Sequence, residues 1–110
     1  MDEKQQGYSL NDYQNAAMSF RLESASGLYA VLNLPGEVGE LCGLMAKAVR
    51  DGAKLDYQQN IKKELGDILW TVAAVALDNG FTLEDVAMSN IVKLTDRKQR
   101  DVIKGSGDNR

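Results

Sequence analysis

Residues 36–52 read GEVGELCGLMAKAVRDG, and residues 62–70, one short interval later, read KKELGDILW. An α-helix turns by about 100° per residue, so positions three or four apart share a face. In the first stretch Glu37 and Glu40 lie on neighbouring parts of one arc, which also carries Leu41, Leu44 and Ala48. In the second, Glu64 and Asp67 share an arc with Ile61, Ile68, Thr71 and Val75. Each helix therefore sets an acidic i, i+3 pair within an apolar surface, where a solvated charge does not ordinarily sit. If the two arcs face one another, the carboxylates converge in a partly buried space. Two like charges about 4 Å apart repel by about 4 kcal/mol at an effective dielectric of about 20. Protonation or a bound cation relieves that repulsion. Oxygen-only ligands on rigid helices suit a hard divalent ion, Mg²⁺, with Mn²⁺ able to substitute.

Working outward, the chain reads as all-α, with four helical segments and no repeat. The first starts near Ser9, where Ser9 and Asp12 have capping-box spacing, and places Leu10, Tyr13, Ala17 and Phe20 on one face. A weaker stretch covers residues 23–33. The second helix is expected to open at Pro35, since proline suits a first helical position, and to end at Asp51-Gly52. The third opens at Asp56, capped as Asp-x-x-Gln with Gln59, and stops at Asn79-Gly80. The fourth is capped by Thr82-x-x-Asp85, with Phe81 and Val86 placed as a hydrophobic staple. Cys42, Met45 and Met88 read as packed interior side chains. The expected organisation is an N-terminal extension over 1–8, one domain over 9–103 and a disordered tail over 104–110.

Composition removes whole classes of chemistry. There is no histidine among the 110 residues, which excludes the usual Ser-His-Asp and Cys-His systems, His-ligated zinc and Glu-x-x-His di-iron bundles. A net charge of −3 gives no electrostatic footprint for a nucleic-acid backbone. The single cysteine cannot form an intramolecular disulfide, which suits a reducing cytoplasm. The opening MDEKQQGYS carries no apolar h-region, so no secretory signal is expected. The apolar run from Ile68 to Leu77 is too short to span a bilayer.

Together with NIVKLTDR at residues 90–97, the two opening stretches resemble the MazG-like nucleotide pyrophosphohydrolases of the all-α NTP pyrophosphatase kind. That family carries an E-x-x-E pair, a variable spacer, an E-x-x-D pair and a downstream helix with Asn, Lys and Arg. All occur here in order, with 23 residues between Glu40 and Glu64, and the likeness extends back through Tyr13-Gln14. The resemblance implies that Glu37, Glu40, Glu64 and Asp67 bind Mg²⁺. It further implies that a nucleoside triphosphate is hydrolysed to its monophosphate and pyrophosphate. Lys47, Asn90, Lys93 and Arg97 match the family's basic and polar positions toward phosphate. Related sequences often follow the Arg97 position with Tyr-Pro, whereas this chain has Lys98-Gln99-Arg100, a departure that bears on the path after the fourth helix.

A carboxylate not fully committed to metal is expected to take the proton of the attacking water. Glu40 is favoured, with Glu37 and Asp67 able to serve equally. Trp70 reads either as a surface for a nucleobase or as a core or interface residue. The third helix is apolar over more of its circumference than three partner helices can cover, so a bundle completed by a second subunit, as homo-dimer or homo-tetramer, is expected. Two alternatives stand beside this reading. One is a base-selective relative: a dUTPase, a dCTP pyrophosphatase or a phosphoribosyl-ATP pyrophosphohydrolase. The other is a non-catalytic helical oligomerisation or nucleotide-binding module.

Overall fold

The structure of the protein, a computed structural model, describes residues 8–100 and Gly107. Every regular element among them is helical: α1 (Leu10–Met18), a 3₁₀ turn (Glu23–Ala25), α2 (Tyr29–Asp51), α3 (Tyr57–Asp78) and α4 (Leu83–Gln99). The all-α reading holds. Apart from Tyr8 and Gly107, the expected extension over 1–8 and the tail over 104–110 lie outside the described residues.

Local chemistry explains most boundaries. Ser9 Oγ accepts from the Asp12 N–H at 2.9 Å, and Asp12 Oδ2 accepts from the Ser9 N–H at 3.3 Å, so the box closes with aspartate in the usual glutamate position. Thr82 Oγ1 caps α4 by accepting from the Asp85 N–H at 3.1 Å. Between α3 and α4 the chain turns at Gly80, whose φ of 79° favours glycine.

Two expectations about helix starts are corrected. Helix α2 begins at Tyr29, so Pro35 lies inside it, in its second turn. Proline's fixed φ is compatible with a helix. The cost falls on the bond its missing N–H would have made to Val31 O, and the turn upstream is held by buried Ala30. At α3, Asp56 precedes the helix but makes no side-chain cap bond. Its ψ of 10° departs from the extended conformation that swings a capping side chain over the first turn.

Helix α2 packs most extensively on α3, and the connection 52–56 turns the chain back between them. Helix α1 lies against α3 and α4. The buried core is small and sits late in the chain: Ala73 and Ala76 of α3 with Leu83 of α4, joined by Tyr13, Met18 and Val72. Gln14 is the polar centre of this region. Its side-chain nitrogen donates to Ala73 O at 3.1 Å and Phe81 O at 3.2 Å, while its oxygen accepts from the Leu83 N–H at 3.1 Å. The buried face of α1 is thus Gln14 and Ala17, whereas Leu10 and Phe20, expected on that face, are exposed. Phe20 falls beyond the helix end. Arg21 then holds the loop by a two-pronged pair with Asp78 at 2.8 and 2.9 Å and by donating to Ala25 O.

Large apolar side chains remain in solvent on every long helix, among them Leu32, Val38, Leu65, Leu69, Ile91 and Val92. Met45, Met88 and Cys42, read from sequence as interior, are exposed as well. Within one chain α2 and α4 each turn a single narrow face to their neighbours, too little to bury all their apolar positions. No helix among the described residues is long and apolar enough to cross a membrane.

Candidate metal centre

The α2–α3 pairing brings acidic side chains of both helices together. Glu37 of α2 and Glu64 and Asp67 of α3 each offer a carboxylate oxygen, and these oxygens lie within 4.8 Å of one another. Glu37 and Glu64 are half-buried, and Asp67 is exposed. Glu64 feels the crowding: partial burial first, then the charges of Asp67, Glu40 and Glu37, raise its pKa above the ordinary glutamate value of 4.5. Glu40 is exposed and its oxygens stand outside the group of three, although its charge still reaches Glu64.

The surroundings come from three helices and the segment after α1. Asn33, one turn before Glu37, donates from Nδ2 to Glu37 Oε1 at 3.1 Å. Thr71 Oγ1 donates to the Asp67 carbonyl at 2.9 Å. Tyr13 of α1 has its phenol pKa raised, by burial and then by the charge of Asp67. A cavity of about 230 Å³ opens beside Glu37 and Asp67, with Phe20, Leu22, Tyr29 and Trp70 among its walls and Asn33 and Thr71 as polar lining. Trp70 is anchored there: its indole N–H donates to Ala17 O at 2.9 Å, which fixes the ring between α1 and α3.

The remaining sequence-derived residues lie elsewhere on the single chain. Lys47 lines a recess of about 300 Å³ at the closed end of the α2–α3 hairpin, with Lys54, Tyr57 and Asn60. Asn90 and Lys93 line another, of about 560 Å³, along α4 with Phe81, Asp85, Val86 and Ser89. Asn90 is exposed there. Arg97 is only 4% exposed and donates to Gly107 O at 3.5 Å. Asn33 was not singled out from sequence. The available signal was its i, i+4 spacing to Glu37, which counts only if the helix is known to begin before Pro35.

The donor set suits a hard cation. All three ligating groups are oxygens, and oxygens on opposite sides of a Mg²⁺ ion stand about 4.2 Å apart, near the spread of this group. Fold and site together define a class: a four-helix protein whose acidic centre straddles two adjoining helices. The MazG nucleotide pyrophosphohydrolase domain matches residues 26–101. The chain belongs to that family, whose fold is the all-α NTP pyrophosphatase fold and whose enzymes are generally metal-dependent. It is also 41% identical over 92 residues to the Gene 37 protein of Mycobacterium phage L5, covering 80% of this chain and 81% of that one. No solved structure matches the chain.

Proposed function

We propose that the protein hydrolyses nucleoside triphosphates, ribo- or deoxyribo-, to the monophosphate and pyrophosphate in a Mg²⁺-dependent reaction. The observation that carries this reading is the convergence of Glu37, Glu64 and Asp67 oxygens from two helices within 4.8 Å. Uncompensated, three carboxylates at that spacing repel; with a divalent ion they become a ligand set.

When bound, Mg²⁺ supplies positive charge against the triphosphate and acidity to water it coordinates. Glu37, Glu64 and Asp67 would hold it, and Glu40 would either complete the set or, standing outside the group of three, accept the attacking water's proton. The water oxygen bonds to one of the two phosphorus atoms of the α–β anhydride as the bridging P–O bond breaks, the electron pair staying on the bridging oxygen, and the products are monophosphate and pyrophosphate. Lys47, Lys93 and Arg97 are assigned to phosphate charge and Asn90 to a polar contact. Trp70, with Phe20 and Tyr29, forms the apolar surface beside the carboxylates on which a base can lie. The apolar side chains left exposed on α2, α3 and α4 support a homo-dimer or homo-tetramer.

The test is chromatography of the products from a mixture of NTPs and dNTPs, with and without Mg²⁺. Monophosphate and pyrophosphate appear only with the metal, and relative rates across the panel report base and sugar preference. Glu64→Gln and Asp67→Asn abolish product while helicity by circular dichroism stays unchanged. Release of diphosphate and orthophosphate, or full turnover by either variant, overturns the assignment.

A further inference from the structure

Asn33 and Glu37 are joined across the one turn of α2 that contains a proline. Asn33 Nδ2 donates to Glu37 Oε1 at 3.1 Å, and both side chains line the cavity that Asp67 and Trp70 also border. Between them Pro35 lacks an N–H, so the bond to Val31 O is missing from the overlapping turn just upstream, and the side-chain bond from Asn33 to Glu37 adds a tie beside that gap. A glutamate side chain has three rotatable torsions. A donor fixed to one oxygen restricts them and leaves the carboxylate's other lone pairs available to a ligand, with one Glu37 oxygen within 4.8 Å of Glu64 and Asp67 oxygens. The donor is also uncharged. A lysine at position 33 would hold Glu37 too, but its positive charge would compete with a cation for the same carboxylates; an amide orients without neutralising.

We infer that Asn33 is a positioning residue, holding the Glu37 carboxylate turned into the group it forms with Glu64 and Asp67. The inference rests on the metal-site reading. Partners that orient metal-binding side chains typically contribute about 10–100-fold in metal affinity.

The experiment measures Mn²⁺ affinity by electron paramagnetic resonance on wild type, Asn33→Ala, Asn33→Leu and Glu64→Gln, with a thermal melt of each. Alanine and leucine both favour helix, and leucine keeps the branching of asparagine without the donor. Expected is tight binding by wild type, loss in Glu64→Gln, and binding weakened about 10–100-fold in both Asn33 variants. A purely structural role across the proline turn would lower Tm and leave the affinity of the folded protein unchanged, and that result overturns the inference while leaving the site intact. Absence of Mn²⁺ binding by wild type sinks the underlying reading instead, and the inference with it.

Discussion

Replacing Gln14 by leucine tests whether the polar centre of the bundle holds α1, α3 and α4 together. Gln14 is 5% exposed, and leucine matches it closely in volume, so the change removes hydrogen bonds while opening little space. Its three partners are not equally harmed. Ala73 lies within α3, where its carbonyl already serves the helix. Phe81 O loses the side-chain donor bound at 3.2 Å. Leu83 N is the first amide of α4, has no acceptor within its own helix, and belongs to a residue only 4% exposed. Leu83 N is orphaned in a buried site, at about 1–3 kcal/mol, and Phe81 O, only part-buried, adds less; with the extra apolar burial of leucine offsetting part of this, the net loss is about 2 kcal/mol. With an unfolding entropy of roughly 2 cal/mol/K per residue, a loss of that size lowers Tm by about 10 °C for a domain this long. Thermal melts followed at 222 nm, supported by urea unfolding, give the measurement. A Tm within about 3 °C of wild type would refute the reasoning, because an orphaned buried amide cannot be that cheap.

Glu64 makes the metal-free protein sensitive to pH. Its folded pKa is raised, so between the ordinary value of 4.5 and that raised value the native state holds more protons than the unfolded one. Apo stability therefore falls as pH rises through this window, and Glu64→Gln removes the fall. The comparison of melts from about pH 4 to pH 8 isolates the Glu64 term, since the lowered pKa values of Asp51 and Asp78 act in the opposite sense in both proteins. A wild-type curve parallel to that of the variant contradicts the crowding. Glu40→Gln separates proton transfer from metal holding: kcat is expected to drop by about 10²–10⁴-fold with Mn²⁺ affinity nearly unchanged. Equal loss of both would place Glu40 among the ligands instead.

Much of the fold was legible because its signals are local. Ser9 with Asp12, Thr82 with Asp85, and Asn79-Gly80 act within one turn of chain, and each does what its chemistry requires. What could not be read depended on distant neighbours. Periodicity put Leu10 and Phe20 on the inner face of α1, yet the inner position is a glutamine, because three backbone groups from α3, from α4 and from the turn joining them meet there. The convergence of Glu37, Glu64 and Asp67 could be anticipated from two acidic pairs on apolar arcs, since those arcs are what the hairpin packs together. The position of Glu40 outside the group could not, because it turns on the rotation of α2 about its axis. Asn33 was lost through Pro35: placing the helix start at the proline removed the preceding turn from the face that carries Glu37.

Helix α3 divides stability from chemistry along its length. Its second half carries the buried positions Thr71, Ala73, Ala74 and Ala76, small side chains that let α1 and α4 approach closely. Its first half carries Glu64 and Asp67, with Leu65 and Leu69 exposed between and beside them and no side-chain cap at Asp56. The repelling charges are thus set on the half of α3 that lies outside the cluster of buried alanines, beside leucines that a single chain leaves exposed. The clamp at Gln14 and the carboxylates at Glu64 belong to opposite ends of one rod. Damage at the first lowers the melt at every pH, whereas damage at the second shows in the metal titration and in the pH dependence of the melt.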